Sequence, residues 1–208
     1  MNSFIREKIR DEALALGFTR AEYIEQDKIV FYPELRAICE GTQCGCYDAN
    51  WVCPPAFGSF EDGKKKILSY KNFLLFSKKY ELEDRFDFEG MQQGMRDFRR
   101  SIPGLERAAR EALLSSDTEG RDAAEERTLE QKADSIPVQE EDPIFILSAG
   151  SCGLCKNCTY PDAPCRFPQL LHHPIEGYGL NVNELAQSCG MAYNNGPATV
   201  TYFGGILF

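Results

Sequence analysis

Ile144-Phe-Ile-Leu147-Ser-Ala149-Gly150-Ser151-Cys152-Gly-Leu-Cys155-Lys-Asn-Cys158-Thr-Tyr-Pro-Asp-Ala-Pro-Cys165-Arg166-Phe-Pro168 joins a short apolar run to a cysteine-rich loop. The run reads as a buried strand, and Ala149-Gly150-Ser151 turns it directly into the loop. A buried strand that delivers such a loop is a rigid way to hold a metal. Three cysteines stand at two-residue gaps, and Cys165 follows after six more residues. Cys-x2-Cys-x2-Cys is the spacing that wraps three thiolates round one iron-sulfur cubane. Cys152, Cys155, Cys158 and Cys165 are therefore the candidate ligands of a 4Fe-4S cluster. Zinc is the first rival, although structural zinc sites usually use separate Cys pairs. Redox thiols or packed thiols come last, because a segment so rich in Pro, Gly, Asn and Asp cannot be a core strand or helix.

A second group lies upstream, in Cys39-Glu-Gly-Thr-Gln-Cys44-Gly-Cys46-Tyr47-Asp-Ala-Asn-Trp51-Val-Cys53-Pro54-Pro55. Pro54 removes an N–H and fixes an extended exit after Cys53. The glycines let the backbone come close enough to bond a thiolate. Cys39, Cys44, Cys46 and Cys53 are candidate metal ligands. A second cluster, a zinc site, an active dithiol and a site shared with the later group all fit this spacing. Cofactor content is thus one 4Fe-4S cluster, or two if the early group holds its own, with zinc as the alternative.

Of the net charge of −9, one segment carries −7. Residues 117–142 hold ten acidic and three basic side chains, and the rest of the chain is nearly neutral. We read 116–142 as an acidic, mobile insertion in a single domain spanning 1–208. Without a basic stripe interleaved with aromatics, a nucleic-acid partner is not suggested. Apolar runs are too short for a membrane span. The charged opening Met1-Asn-Ser-Phe-Ile-Arg-Glu-Lys is an amphipathic helix start, not a secretory leader. Nine cysteines in that setting read as metal or redox chemistry in a reducing, cytoplasmic compartment.

Around these groups the chain alternates helix and strand signals. A helix is expected over 3–16, from Ile5, Ile9, Ala13 and Leu16, followed by extended stretches at 18–24 and 28–32. Pro33 is read as a turn. Ser59 is expected to cap a helix reaching Tyr70, with Lys64-Lys65-Lys66 as its solvated face, and 72–77 follows as a strand. Arg85–Arg100 has helical spacing, and Pro103 is expected to open a separate helix. His172-His173 reads as a polar turn before Pro174. Asn181 or Asn183 caps a short helix ending near Cys189, which reads as a packed thiol. The apolar end, 199–208, is a strand or hairpin docked in a sheet. The expected fold is α+β: a mixed or antiparallel sheet, helices packed on it, and cysteine loops gathered at one end.

The order of these motifs resembles one family, the cysteine-rich, predicted metal-binding domain of unknown function 2284. The residues that carry the resemblance are Cys44, Tyr47, Trp51 and Cys53-Pro54-Pro55, then Ala149-Gly150, Cys152, Cys155, Cys158, Cys165-Arg166 and Pro168. Ile175-Glu176 and Gly179-Leu180-Asn181-Val182 complete the pattern over roughly 18–208. The resemblance implies metal binding, iron-sulfur foremost, and implies no reaction. The leading expectation is an iron-sulfur protein that passes electrons to a partner redox enzyme. One alternative is an iron-sulfur enzyme with a substrate pocket near the early cysteines, built with Tyr47 or His172. Another is a zinc-stabilised binding module.

Overall fold

A computed structural model describes residues 3–41, 44–119 and 142–208. The expected acidic insertion falls mainly on 120–141, outside the described residues. The chain runs α1 (Ser3–Ala15), β1 (Arg20–Ile24), α2 (Pro33–Glu40), α3 (Phe60–Ser69), β2 (Phe73–Glu81), α4 (Phe88–Glu119), β3 (Phe145–Ser148), β4 (His173–Pro174), α5 (Val182–Ser188) and β5 (Thr199–Leu207). The strands form one mixed sheet in the order β1-β2-β5-β3-β4. All neighbours are antiparallel except β3 and β4. The fold is α+β, with the C-terminal strand at the centre of the sheet rather than folded back as a hairpin.

Period-two alternation explains how the sheet separates two cores. Leu74 and Phe76 of β2 face α1 and α4, in a core with Ile9, Phe98, Ile102 and Leu105. Phe73 and Leu75 face the other way, toward Ile67, Leu180 and Leu185. Leu147 belongs to this second core while its neighbour Ile146 belongs to the first. β3 is thus gripped from both faces at the point where the cysteine loop leaves it.

Several local expectations change in the structure. Pro103 does not open a new helix; it lies inside α4. The apolar stripe Phe98, Ile102, Leu105 and Ala109 is fully buried across it. A mid-helix proline costs about 3 kcal/mol, whereas burying each large side chain of that stripe returns roughly 1.5–3 kcal/mol. Pro33 is not a turn but the first residue of α2, where its missing N–H has no intrahelical partner to lose. The 28–32 stretch is a short 3-10 turn at Gln26–Lys28 followed by a single bridge from Phe31 to Leu180. Lys64 and Lys66 lie over aromatic rings, Lys64 over Phe31 and Lys66 over Phe145, so Lys65 is the solvated member of the three. The Ser59 cap holds as read, with Asp62 completing a reciprocal capping box. Asn181 caps α5, and Cys189 packs at its end with its thiol donating to the Leu185 carbonyl.

His173 is a strand residue rather than part of a polar turn, paired with Leu147. The Phe57 and Phe145 rings lie 5.2 and 5.4 Å from it, and Tyr178 Oη is 3.2 Å from Nδ1. Burial lowers its pKa from 6.5 to about 4, and the neighbouring Lys66 and His172 push the same way. The unfolded chain therefore takes up a proton that the native chain refuses between pH 6.5 and about 4. Stability is full above that window and falls as the pH drops through it. The expected loss is on the order of 2–3 kcal/mol. His173→Gln cannot titrate and should flatten this slope in urea unfolding at pH 7 and pH 4.5. An equal slope in both proteins would remove His173 as its source.

Candidate metal centre

The later cysteines are brought together. Cys152, Cys155, Cys158 and Cys165 line one small cavity, with Asn50 and Trp51 from the early loop closing its side. Burial pushes the Cys152 thiol up, the other three cysteines act in the same direction, and the Leu154 N–H bonded to its sulfur acts the other way. The Phe167 N–H donates to Cys165 Sγ at 3.4 Å. Backbone N–H groups aimed at sulfur are the usual support of a metal-bound thiolate.

The early cysteines form a second cluster of thiols. Cys39 ends α2 and faces Cys44, and burial first, then Cys44, pushes its pKa up to about 11. Cys53 is buried and lies near Cys46 and Cys44. Burial raises its pKa, against hydrogen bonds from Ser151 and Asn50. Thiols held protonated in this way are poor nucleophiles, and a bound cation is what turns them into thiolates.

The two groups touch. Asn50 Nδ2 donates to Ser151 Oγ at 3.0 Å, and the same serine bonds to Cys53. Tyr160, within the later loop, donates to Asp48 at 2.8 Å, and its ring meets Trp51 edge-on at 4.9 Å. The early loop and the later loop are therefore one unit at one end of the sheet.

Each group is braced by an arginine that bonds backbone carbonyls. Arg36 is 4% exposed and donates to the carbonyls of Gly177 and Gly58, with Phe57 under its guanidinium. It locks α2, and so Cys39, to the rest of the fold. Arg99 of α4 donates to the carbonyls of Ala149 and Ser151, the turn between β3 and Cys152. Burial lowers its pKa while the nearby Cys152 opposes this. Gly150 in that turn has φ +66°, and a Cβ there would come within 3.3 Å of the Arg99 guanidinium, so glycine satisfies both the backbone and the brace.

Sequence reading named all eight cysteines of the two groups, and Ser151 only as part of a turn, but gave no role to Arg36, Arg99 or Asn50. An arginine in a helix normally signals a solvated face, and only its place beside a buried stripe (Phe98 next to Arg99) hints otherwise.

The donor set fits a thiolate-bound metal. Among the described residues, no three His, Cys, Asp or Glu side chains already converge on a point where a single ion would sit. The cavity holds about 30 Å³, room for a water or two, so a larger group needs the loop to open. That loop is fixed at Ser151 and Tyr160, and Cys155 and Cys158 stand between those two points. Trp51 Nε1 supplies a further sign of fit. It is buried without a hydrogen-bond partner among the described residues, in a residue that lines the cysteine cavity. An orphaned buried N–H costs about 1–3 kcal/mol, and a sulfur acceptor in the cavity would remove that cost.

A cysteine-rich α+β metal-binding fold is the class these features define. The family comparison agrees: residues 22–208 match the model described as predicted metal-binding protein (DUF2284). The chain belongs to that family. No curated protein and no solved structure matches it.

Proposed function

We propose that this protein carries a 4Fe-4S cluster on Cys152, Cys155, Cys158 and Cys165 and passes single electrons to a partner redox protein. One observation carries the reading: the Cys-x2-Cys-x2-Cys run and the more distant Cys165 line a single cavity at the end of a buried strand. When bound, the cluster would supply one-electron reduction and oxidation. The chain's own residues hold it and expose it. Cys158 is exposed, and Cys155 and Cys165 are half-buried, which supports a centre near the surface, within reach of a partner. All nine cysteines are free, in keeping with a reducing, cytoplasmic setting. Among the described residues no helix is long and apolar enough to cross a membrane.

The test is iron, acid-labile sulfide and zinc per chain, on protein purified without oxygen. About four iron and four sulfide per chain are expected for one cubane. About eight of each would add a second cluster, with the early group as its site. Zinc in place of iron would overturn the redox reading and leave a metal-stabilised module.

A further inference from the structure

Beside the cysteine centre lies a larger cavity of about 340 Å³, walled by α4 on one side and by the turn from β3 into Cys152 on the other. Three of its side chains are arginines from two successive turns of α4: Arg96, Arg99 and Arg100. Among the described residues none of the three is in a salt bridge. Arg99 spends one guanidinium nitrogen on the Ala149 and Ser151 carbonyls. Its other terminal nitrogen faces Gly153, where a Cβ would come within 2.9 Å of it. Among the described residues Arg96 bonds only the neutral Gln93. Arg100 lies near Asp97, but that carboxylate is already held by Lys78 at 2.8 Å and Tyr80 at 2.7 Å.

One buried polar atom belongs to a residue lining the same space and has no hydrogen-bond partner among the described residues. Ser148 is 3% exposed, and its Oγ makes no hydrogen bond. His172, on the same wall, turns its Nε2 toward Glu106 instead, 3.7 Å from Oε2. Buried polar groups are almost always paired. An orphaned hydroxyl on a residue that lines a cavity with three cationic side chains marks where a ligand's polar atom belongs. Pro103 and Leu154 add apolar wall, and the volume falls within the range of small-molecule sites.

We infer that this cavity is a binding site for a small organic anion. Its carboxylate or phosphate head sits on Arg96, Arg99 and Arg100, a polar atom reaches Ser148, and its carbon skeleton lies on Pro103 and Leu154. Cys152 lines both this cavity and the cysteine cavity, so the anion would lie against a ligand of the metal centre. The inference goes beyond electron transfer and holds whichever metal the thiolates carry.

Isothermal titration calorimetry on the metal-loaded, full-length protein tests it, with benzoate, phenyl phosphate and inorganic phosphate as probes at fixed ionic strength. Benzoate or phenyl phosphate should bind at least ten-fold more tightly than inorganic phosphate, and whichever is tighter tells carboxylate from phosphate. Arg96→Gln and Arg100→Gln, both at exposed positions, should each weaken that binding about ten-fold, while Arg107→Gln on the same helix should not. Ser148→Ala removes a hydroxyl with no partner among the described residues, so the fold should be untouched and the affinity several-fold lower. Absence of binding by all three probes, equal binding by all three, or binding indifferent to Arg96→Gln and Arg100→Gln would overturn the site. Metal content measured on the same samples reports separately on the iron-sulfur reading.

Discussion

Cys155→Ser, purified without oxygen, should lose the metal of the later group while keeping its secondary structure. The substitution changes one atom at a half-buried position, so lost packing cannot account for a large effect. Three sulfurs remain, and a cubane held by three of four thiolates is open to solvent and to chelators. The binding energy of a structural metal is also folding energy for the loop that holds it. The body of the protein does not depend on it, because the two cores on either side of the sheet are built from Ile, Leu and Phe. The expected result is a colourless or strongly bleached protein with less than about a quarter of the wild-type iron, a native far-UV spectrum, and faster proteolysis within 152–168. Cys189→Ser is the control: that thiol packs on α5 and donates to Leu185, so its metal content should be unchanged. Full iron retention in Cys155→Ser would remove this cysteine from the ligand set. Cys46→Ser, in the early group, then separates one centre from two. It should leave a four-iron centre intact, but halve an eight-iron content.

The gathering of the later cysteines was legible because it is written in spacing. Four cysteines within 152–165 say metal whatever surrounds them, and a buried strand ahead of them is legible from an apolar run. The braces were not. Arg36 and Arg99 are held by carbonyls from segments far away in the chain, with Gly177 lying 141 residues from Arg36. Nothing local to either arginine requires that. Cysteine loops gathered at one end were expected, but the same limit hid the side chains that join them, Asn50 with Ser151 and Asp48 with Tyr160. Pro103 shows the converse failure. Its local rule pointed to a helix start, and the rule lost to a buried stripe that runs past it on both sides. The sheet order was also out of reach, since a C-terminal strand inserted between β2 and β3 pairs residues more than a hundred positions apart (Phe73 with Leu207).

That inserted strand carries the second large prediction, Gly204→Ala. Gly204 of β5 lies opposite Phe76 of β2. A Cβ there would stand 2.4 Å from Phe76 Cζ and 2.9 Å from the Leu147 carbonyl oxygen. Neither neighbour can yield easily. The Phe76 ring is fully buried against Phe18 at 4.7 Å and Phe98 at 5.9 Å, and the Leu147 carbonyl is part of β3. Overpacking a tight core costs about 1–3 kcal/mol, and a clash with ring and backbone together puts this substitution near the top of that range, roughly 3 kcal/mol. Urea unfolding of the metal-loaded protein should show it as a lower midpoint with an unchanged slope. Shortening the opposing side chain tests the cause. In Gly204→Ala combined with Phe76→Leu, the two penalties should fall short of additivity, because the smaller side chain makes room for the methyl group. Strict additivity would mean that β3, not the ring, moves aside. In that case the strain passes along Leu147 and Ser148 to the turn held by Arg99, and the metal content should fall with the stability. If the ring yields instead, the folded fraction should keep its full complement of metal.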